Sequence, residues 1–419
     1  MVNRTNTPTA KQLEFLSWEF GVFFHFGIRT FYPGHEDWDG KVMPPEAFDP
    51  PDLDCDQWYR MAAQAGARYA ILTAKHHDGF ANWPTAYSGY TTARAPWQDG
   101  KGDVVRDFTR ACRRHGLKVG LYYSPADQVF IEQKITAEEY NERFIGQLGE
   151  LLQNYGKIDY LWFDGCGSGR HKYDTERIMM AIRAMQPEII TFHMWDPDTI
   201  WVGNEEGYAP FNNPLRRTVE EYNRVYQPTD GPIDRNNLLL PAECDFRMRE
   251  RTWFICQDDS ATVKSVDELM GIYDCSVGRG SNFLINVGPD ATGHLAEPDA
   301  TRLLEFGQAL RRRFAEPVVT FHALEEGEDH IVRLPLPGKL PVNCVVLEED
   351  LAQGQRIREF AVHVHAGPRV QVYWGRTVGH KAICSFPTVR GDCVAVEVLQ
   401  SDGPARLKGA KVYYHSRGW

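Results

Sequence analysis

The chain has 419 residues, 42% hydrophobic and 25% charged, which suits a globular protein too long for one ordinary core. Net charge is −11 with no basic run, which argues against nucleic acid or an anionic membrane as partner, and no stretch nears the roughly 18 consecutive apolar residues of a membrane span. Nine scattered cysteines without C-x-x-C spacing, and an N-terminus (MVNRTNTPTAKQ) lacking an apolar leader, point to a reduced, cytoplasmic chain with no zinc site.

The first 315 residues alternate strand and helix. FGVFFHF (20–26) is a continuous apolar run suited to a strand buried on both faces. Residues 52–67 have helical spacing, with Trp58, Met61, Ala62 and Ala65 on one side. YAILTAK (69–75) is a second strand, 104–115 a helix closed by Gly116, and KVGLYYS (118–124) a third strand. A long amphipathic helix follows over 135–155, then a strand at DYLWFDG (159–165), a helix over 175–185 and a strand at EIITFHM (188–194). Beyond it the rhythm loosens. WVGNE (201–205) and LLLPAECD (238–245) read as strand ends, separated by a long loop rich in Pro and Asn. A helix over 266–275, a strand at NFLINVG (282–288) and a helix over 300–314 complete this part.

Eight buried strand-like runs alternating with helices predict a (β/α)8-like parallel barrel over residues 1–315. An open doubly wound sheet is the competing arrangement, but no glycine-rich phosphate loop follows the first strand. From residue 316 the helical period vanishes. Seven short β-type runs divided by Gly, Pro and Asp predict a C-terminal antiparallel β-sandwich over 316–419.

In a parallel barrel the chemistry sits at the C-terminal ends of the strands. Here those ends carry His25, then Lys75-His76-His77-Asp78, then Tyr122 and Tyr123, then Trp162-Phe163-Asp164-Gly165, His193, Glu205, Glu243 and Asp245, and Asn286. Asp164 ends a rigid apolar strand beside a glycine, with Trp162 on the same side as a candidate sugar-stacking ring. That setting suits a nucleophilic carboxylate. A glycosidase needs a second carboxyl to protonate the leaving oxygen, and Glu205, Glu206 and Glu243 are the candidates. A metal hydrolase would also gather His and Asp at strand ends. It usually carries H-x-H on the first strand, whereas His25 stands alone and the adjacent His76 and His77 would face opposite sides of an extended strand.

Six stretches resemble the α-L-fucosidases, glycoside hydrolase family 29: FGVFFHFGIRTFYPGHEDWDG (20–40), YAILTAKHHDGFANWPTAYS (69–88), GLKVGLYYSPAD (116–127), IDYLWFDG (158–165), WVGNEEG (201–207) and SVGRGSNFLINVGPDATGHL (276–295). The resemblance implies a retaining exo-glycosidase that releases terminal α-L-fucosyl residues from a fucosylated oligosaccharide or glycoconjugate, without a metal or other cofactor. It implies Asp164 as nucleophile and Glu205 as acid/base. It places His25, Glu36, His76, His77, Tyr122, Trp162, Glu243 and Trp253 around the substrate. Glu36 falls in a turn whose tryptophan is displaced by one residue from the family pattern, and Phe26 replaces a commoner tryptophan. Two alternatives stand beside this reading within enzymes, an α-L-galactosidase-like glycosidase and a metal-dependent barrel hydrolase. A non-hydrolytic sugar-binding protein on the same scaffold would be expected to lack one of the two carboxylates, and both are present.

Overall fold

A computed structural model describes residues 7–34, 37–218, 220–221 and 238–416. Its first strands are β1 (Phe20–Phe24), β2 (Tyr69–Lys75), β3 (Lys118–Tyr123), β4 (Tyr160–Phe163), β5 (Ile190–Phe192) and β6 (Ile200–Trp201). A two-stranded ribbon, β7 (Arg216–Arg217) with β8 (Leu238–Leu239), precedes β9 (Ala242–Arg247) and β10 (Asn282–Asn286). Eight of these strands form one parallel sheet in the order β5-β4-β3-β2-β1-β10-β9-β6. A parallel bridge between Phe192 and Thr199 joins its two ends, so the sheet comes round on itself as a barrel. Residues 222–237 of the expected long loop lie outside the described residues.

The helices start where the sequence offers caps. Asp54, Asp103 and Asp174 accept backbone N–H groups of Gln57, Arg106 and Arg177 at 2.8–3.1 Å, opening α2 (Cys55–Ala65), α3 (Val104–Arg114) and α6 (Thr175–Met185). Each such cap contributes about 1 kcal/mol. Asp127 caps α4 (Gln128–Gln133), a short helix that the sequence pattern did not announce, ahead of α5 (Ala137–Asn154). Ser265 and Glu268 form a reciprocal box at the start of α7 (Val266–Ser276), and α8 (Glu297–Phe314) closes the barrel region. A further unannounced helix, α1 (Ala10–Trp18), packs Phe15 and Trp18 on Tyr69 and Tyr160 of the barrel interior. Its Gln12 donates to the carbonyls of Asp198 and Leu239, tying the helix to the strands' N-terminal side.

Among the described residues the strand–helix alternation lapses between β5 and β6, where the sequence rhythm loosens. Only seven residues, 193–199, separate β5 from β6, and they hold no helix. The chain turns there with His193 at φ 69° and Trp195 at φ 62°, a region costly for side chains larger than Asn.

The interior of the barrel is aromatic: Phe23, Tyr69, Tyr122, Tyr160, Trp162 and Phe192 fill it. Gly21 makes room for this filling, since a Cβ there would sit 2.3 Å from the ring of Tyr69. A second, larger core lies between the strands and the surrounding helices.

The C-terminal region forms a separate antiparallel sheet of six strands, ordered β11-β16-β12-β15-β13-β14. These are β11 (Val319–Glu325), β12 (Ile331–Glu349), β13 (Ile357–His365), β14 (Arg369–Gly375), β15 (Ala382–Ser401) and β16 (Arg406–Tyr413). Four of the seven expected runs merge pairwise into the two long strands β12 and β15, whose register slips between Pro335 and Leu340. β16 pairs with only the second half of β12, and β13 with only the second half of β15. The two halves of the sheet share one apolar core, including Leu334, Val345, Val364, Val396 and Val412. One hydrogen-bonded sheet thus supplies both expected layers.

Candidate active site

The stretch Lys75-His76-His77-Asp78 explains how four polar residues can be buried in a row. Lys75 Nζ bonds Asp127 Oδ2 at 3.0 Å with both side chains fully buried, and the ammonium lies 4.4 Å from the ring centre of Tyr123. Asp78 accepts from Arg29 Nε at 3.0 Å and from the backbone N–H of Phe80 at 2.7 Å. These pairs anchor both ends of the stretch; removing one partner of such a pair costs about 3–5 kcal/mol. His76 and His77 lie between the anchors, just past the end of β2, where strand alternation lapses. Both line the same cavity, contrary to the expectation that neighbouring residues face apart.

That cavity, about 560 Å3, opens at the C-terminal ends of the barrel strands. Asp164, Glu205, His25, His76, His77, Tyr122, Trp162 and Trp253 all line it. Glu36 lies outside the described residues.

Asp164 follows β4 directly. Its Oδ2 accepts Tyr122 Oη at 2.8 Å and lies 3.4 Å from His77 Nε2, while its Oδ1 accepts the N–H of Cys166 at 2.8 Å. Burial alone would raise its pKa. His77, the Cys166 N–H and Tyr122 outweigh that and hold it at about 2. The same pairing works in reverse on His77: burial disfavours its charge, but Asp164 lifts it to about 9. Ser124 Oγ gives its proton to the carbonyl of Ala126 and so accepts from His77 Nδ1, at 2.6 Å. The result is a carboxylate–imidazolium pair at neutral pH.

His25 has the opposite character. Burial lowers its pKa to about 3, so the ring is neutral. Asn286 Nδ2 donates to the carbonyl of Trp253, which turns Asn286 Oδ1 towards His25 Nδ1 at 2.8 Å. Nδ1 therefore carries the proton, leaving Nε2 as an acceptor. His76 stacks on Tyr122 at 5.6 Å and meets Phe254 edge-on.

Two expectations need correction. Trp162 is not an open stacking surface. Tyr122 covers one face at 5.3 Å and Phe192 the other at 4.1 Å, so only its edge reaches the cavity. Glu243 does not line the cavity at all. It is fully buried in the barrel interior, where it accepts Tyr69 Oη at 2.6 Å, Trp162 Nε1 at 2.8 Å and Tyr160 Oη at 3.2 Å. Its carboxyl is engaged beneath the site. Trp253, also buried, packs on His25 at 4.8 Å, with the Arg247 guanidinium 5.6 Å from its centre.

Glu205 stands on the exposed rim, four residues past Trp201. Asn204 builds the turn around it. Its Oδ1 accepts the N–H groups of Glu206 and Tyr208, and its Nδ2 donates to the Tyr208 carbonyl at 2.8 Å. Gly207 (φ +79°) lets this turn press on the barrel, since a Cβ there would fall 2.6 Å from Ile272. Partial burial raises the Glu205 pKa. Arg247 and Trp253 oppose the rise, and Asp164 and Asp37 add to it.

The cavity is also lined by Asp37, Trp38, Trp201 and Arg247, which the strand-end pattern does not single out, and by Asp245, which that pattern places at a strand end without a role. Asp37 accepts the N–H of Trp253 at 2.7 Å and so ties the loop after β1 to the loop after β9. The i, i+2, i+4 spacing of Glu243, Asp245 and Arg247 was the available signal. One face of β9 carries all three, and depth along the strand separates the buried Glu243 from the cavity-lining pair. Among the described residues no group of three or more His, Cys, Asp or Glu is placed to hold a metal ion.

A parallel barrel with an ionised carboxylate at one strand end, a second carboxyl of raised pKa in the same cavity and aromatic walls has the build of a glycoside hydrolase. The family model described as Alpha-L-fucosidase matches residues 3–313, and the chain belongs to that family. It is 31% identical to α-L-fucosidase 1 of Arabidopsis thaliana, over 91% of this chain and 82% of the relative. A glycoside hydrolase 29 family member from an unknown rumen bacterium superposes with a TM-score of 0.87 at 30% identity, over 99% of this chain and 78% of that one. A Ruminococcus gnavus glycoside hydrolase 29 fucosidase, solved in complex with fucose, shares the fold at a TM-score of 0.82 and 21% identity.

Proposed function

We propose that the protein hydrolyses terminal α-L-fucosyl residues with retention of configuration, by double displacement through Asp164 and Glu205. One observation carries this reading: a carboxylate held ionised by Tyr122, His77 and the Cys166 N–H shares a cavity with a carboxyl whose proton affinity is raised. Asp164 attacks the anomeric carbon. Glu205 protonates the departing oxygen, then takes a proton from the water that releases the sugar.

The cavity walls suit a small deoxy sugar. The acceptor Nε2 of His25 offers a partner to a ring hydroxyl, the imidazolium of His77 is spent on Ser124 and Asp164 and so holds the nucleophile, and Trp253 adds apolar wall. A neighbouring groove of about 330 Å3 shares Asp37 and Trp38 with the cavity and adds Arg251 and Thr252. In this reading it receives the rest of the glycan. The test is hydrolysis of an aryl α-L-fucoside and of α1,2-, α1,3-, α1,4- and α1,6-fucosyl oligosaccharides, with the anomer first formed read by proton NMR. First release of β-fucose, or activity on α-L-galactoside but not fucoside, overturns it.

A further inference from the structure

The carboxyl of Asp245 has no place in the two-step scheme, yet it lines the cavity beside the residue assigned as acid. An antiparallel bridge pairs Glu206 with Phe246. That register sets Glu205 beside Arg247, and strand alternation puts Asp245 on the same face as Arg247. Asp245 is only 4% exposed. Its Oδ1 accepts Trp201 Nε1 at 2.7 Å, and none of the groups acting most strongly on it is a cation. A buried carboxylate with a single indole donor and no cation is costly, and the cost is relieved by holding a proton.

We propose that Asp245 and Glu205 hold one proton between them, with Asp245 as a positioning residue that keeps Glu205 supplied as an acid and Arg247 as the opposing cation. The inference rests on the reading of Glu205 as acid/base. When Glu205 gives its proton to the leaving oxygen, negative charge arises beside Arg247, which stabilises it. When Glu205 regains a proton from water, the pair returns to its starting count. Both carboxyls have raised proton affinity: burial, then Glu205, raises Asp245, with Trp201 opposing and Glu243 adding. Burial raises Glu205, with Asp164 and Asp37 adding and Arg247 and Trp253 opposing. Such a pair titrates in two separated steps, so the upper one falls at higher pH than an isolated carboxyl would.

The test is the pH dependence of kcat/KM on a phenyl α-L-fucoside, whose leaving group needs protonation. Replacing Asp245 by Asn, or by Ser should the amide misfold, removes the second carboxyl. The alkaline limb is expected to move down by about one unit or more. Arg247→Met removes the cation, and the limb is expected to move up. An alkaline limb that stays in place in both Asp245 variants, or fails to rise in Arg247→Met, overturns the proposal. Glu205→Ala distinguishes this from a failure of the underlying reading. If that variant treats dinitrophenyl and phenyl fucosides alike while Asp245→Asn spares only the dinitrophenyl substrate, Asp245 is itself the acid and both assignments fall.

Discussion

The indole N–H of Trp162 donates to Glu243 Oε1 at 2.8 Å, joining the strand that carries Asp164 to the strand that carries Asp245. The bond crosses the barrel interior directly beneath the cavity. Glu243→Ala would leave Trp162 and Tyr69 without an acceptor, while Tyr160 keeps Thr199 Oγ1 at 3.0 Å. Each stranded donor costs about 1–3 kcal/mol, so a loss of about 2–6 kcal/mol in urea unfolding is expected. Glu243→Gln keeps a carbonyl oxygen and should lose less than half of that. Equal stability of the alanine variant and the parent would refute this account of the network.

Stability itself should depend on pH through the buried glutamates. Burial raises Glu243 to about 7, and burial likewise raises Glu349 to about 7 although the N–H groups of Ile357, Arg356 and Gly379 oppose it. Unfolding returns both to the ordinary range near 4.5. Between those values the folded state holds more protons on these two groups than the unfolded one, so their contribution to stability falls as pH rises from about 4.5 to 7. The buried His25, lowered to about 3, contributes in the opposite sense over the same range. Urea midpoints at pH 5 and 7 for the parent and for Glu349→Gln isolate the glutamate effect: relative to the parent, the variant should gain stability between pH 5 and pH 7.

His77 should set the acid limb of activity. Removing its charge in His77→Gln takes away the main force that holds Asp164 at about 2, while burial remains. The Asp164 pKa then rises, so the acid limb of kcat/KM for an aryl fucoside shifts to higher pH. The loss at the optimum is expected at about 10²- to 10³-fold, in the range for a preorganised charge partner. An unchanged acid limb would show that Asp164 does not depend on this imidazolium.

The barrel and most of its mouth were legible because buried parallel strands leave continuous apolar runs, and what ends each run is visible in the sequence. Asp164, His25, the His76-His77 pair and Tyr122, which all line the cavity, stand at those ends. What the chain hides is depth and cover. Glu243 and Asp245 look alike on β9, but two residues along a strand separate a buried network from the cavity wall. Trp162 looks like a stacking ring because its neighbours in space, Tyr122 and Phe192, come from β3 and β5. Asp37 and Trp38 enter the cavity from an irregular loop that has no period to read.

The two proposed catalytic carboxylates should separate by stereochemistry. Asp164→Gly removes the atom that bonds to the sugar, so turnover should fall on the order of 10⁴-fold whatever the leaving group. Azide can then occupy the vacated space on the nucleophile's side and attack once, giving fucosyl azide of inverted configuration. Glu205→Ala leaves Asp164 with its three donors intact. A dinitrophenyl fucoside, which needs no proton, should still form the fucosyl-enzyme, while an unactivated oligosaccharide should not. Azide then enters from the side that water would use, and two inversions give a product of retained configuration. Proton NMR of the isolated azides reads the outcome directly. Near-normal turnover of Asp164→Gly without azide would remove Asp164 from the mechanism. The same azide anomer from both variants would mean that the two carboxyl groups do not flank opposite faces of the sugar.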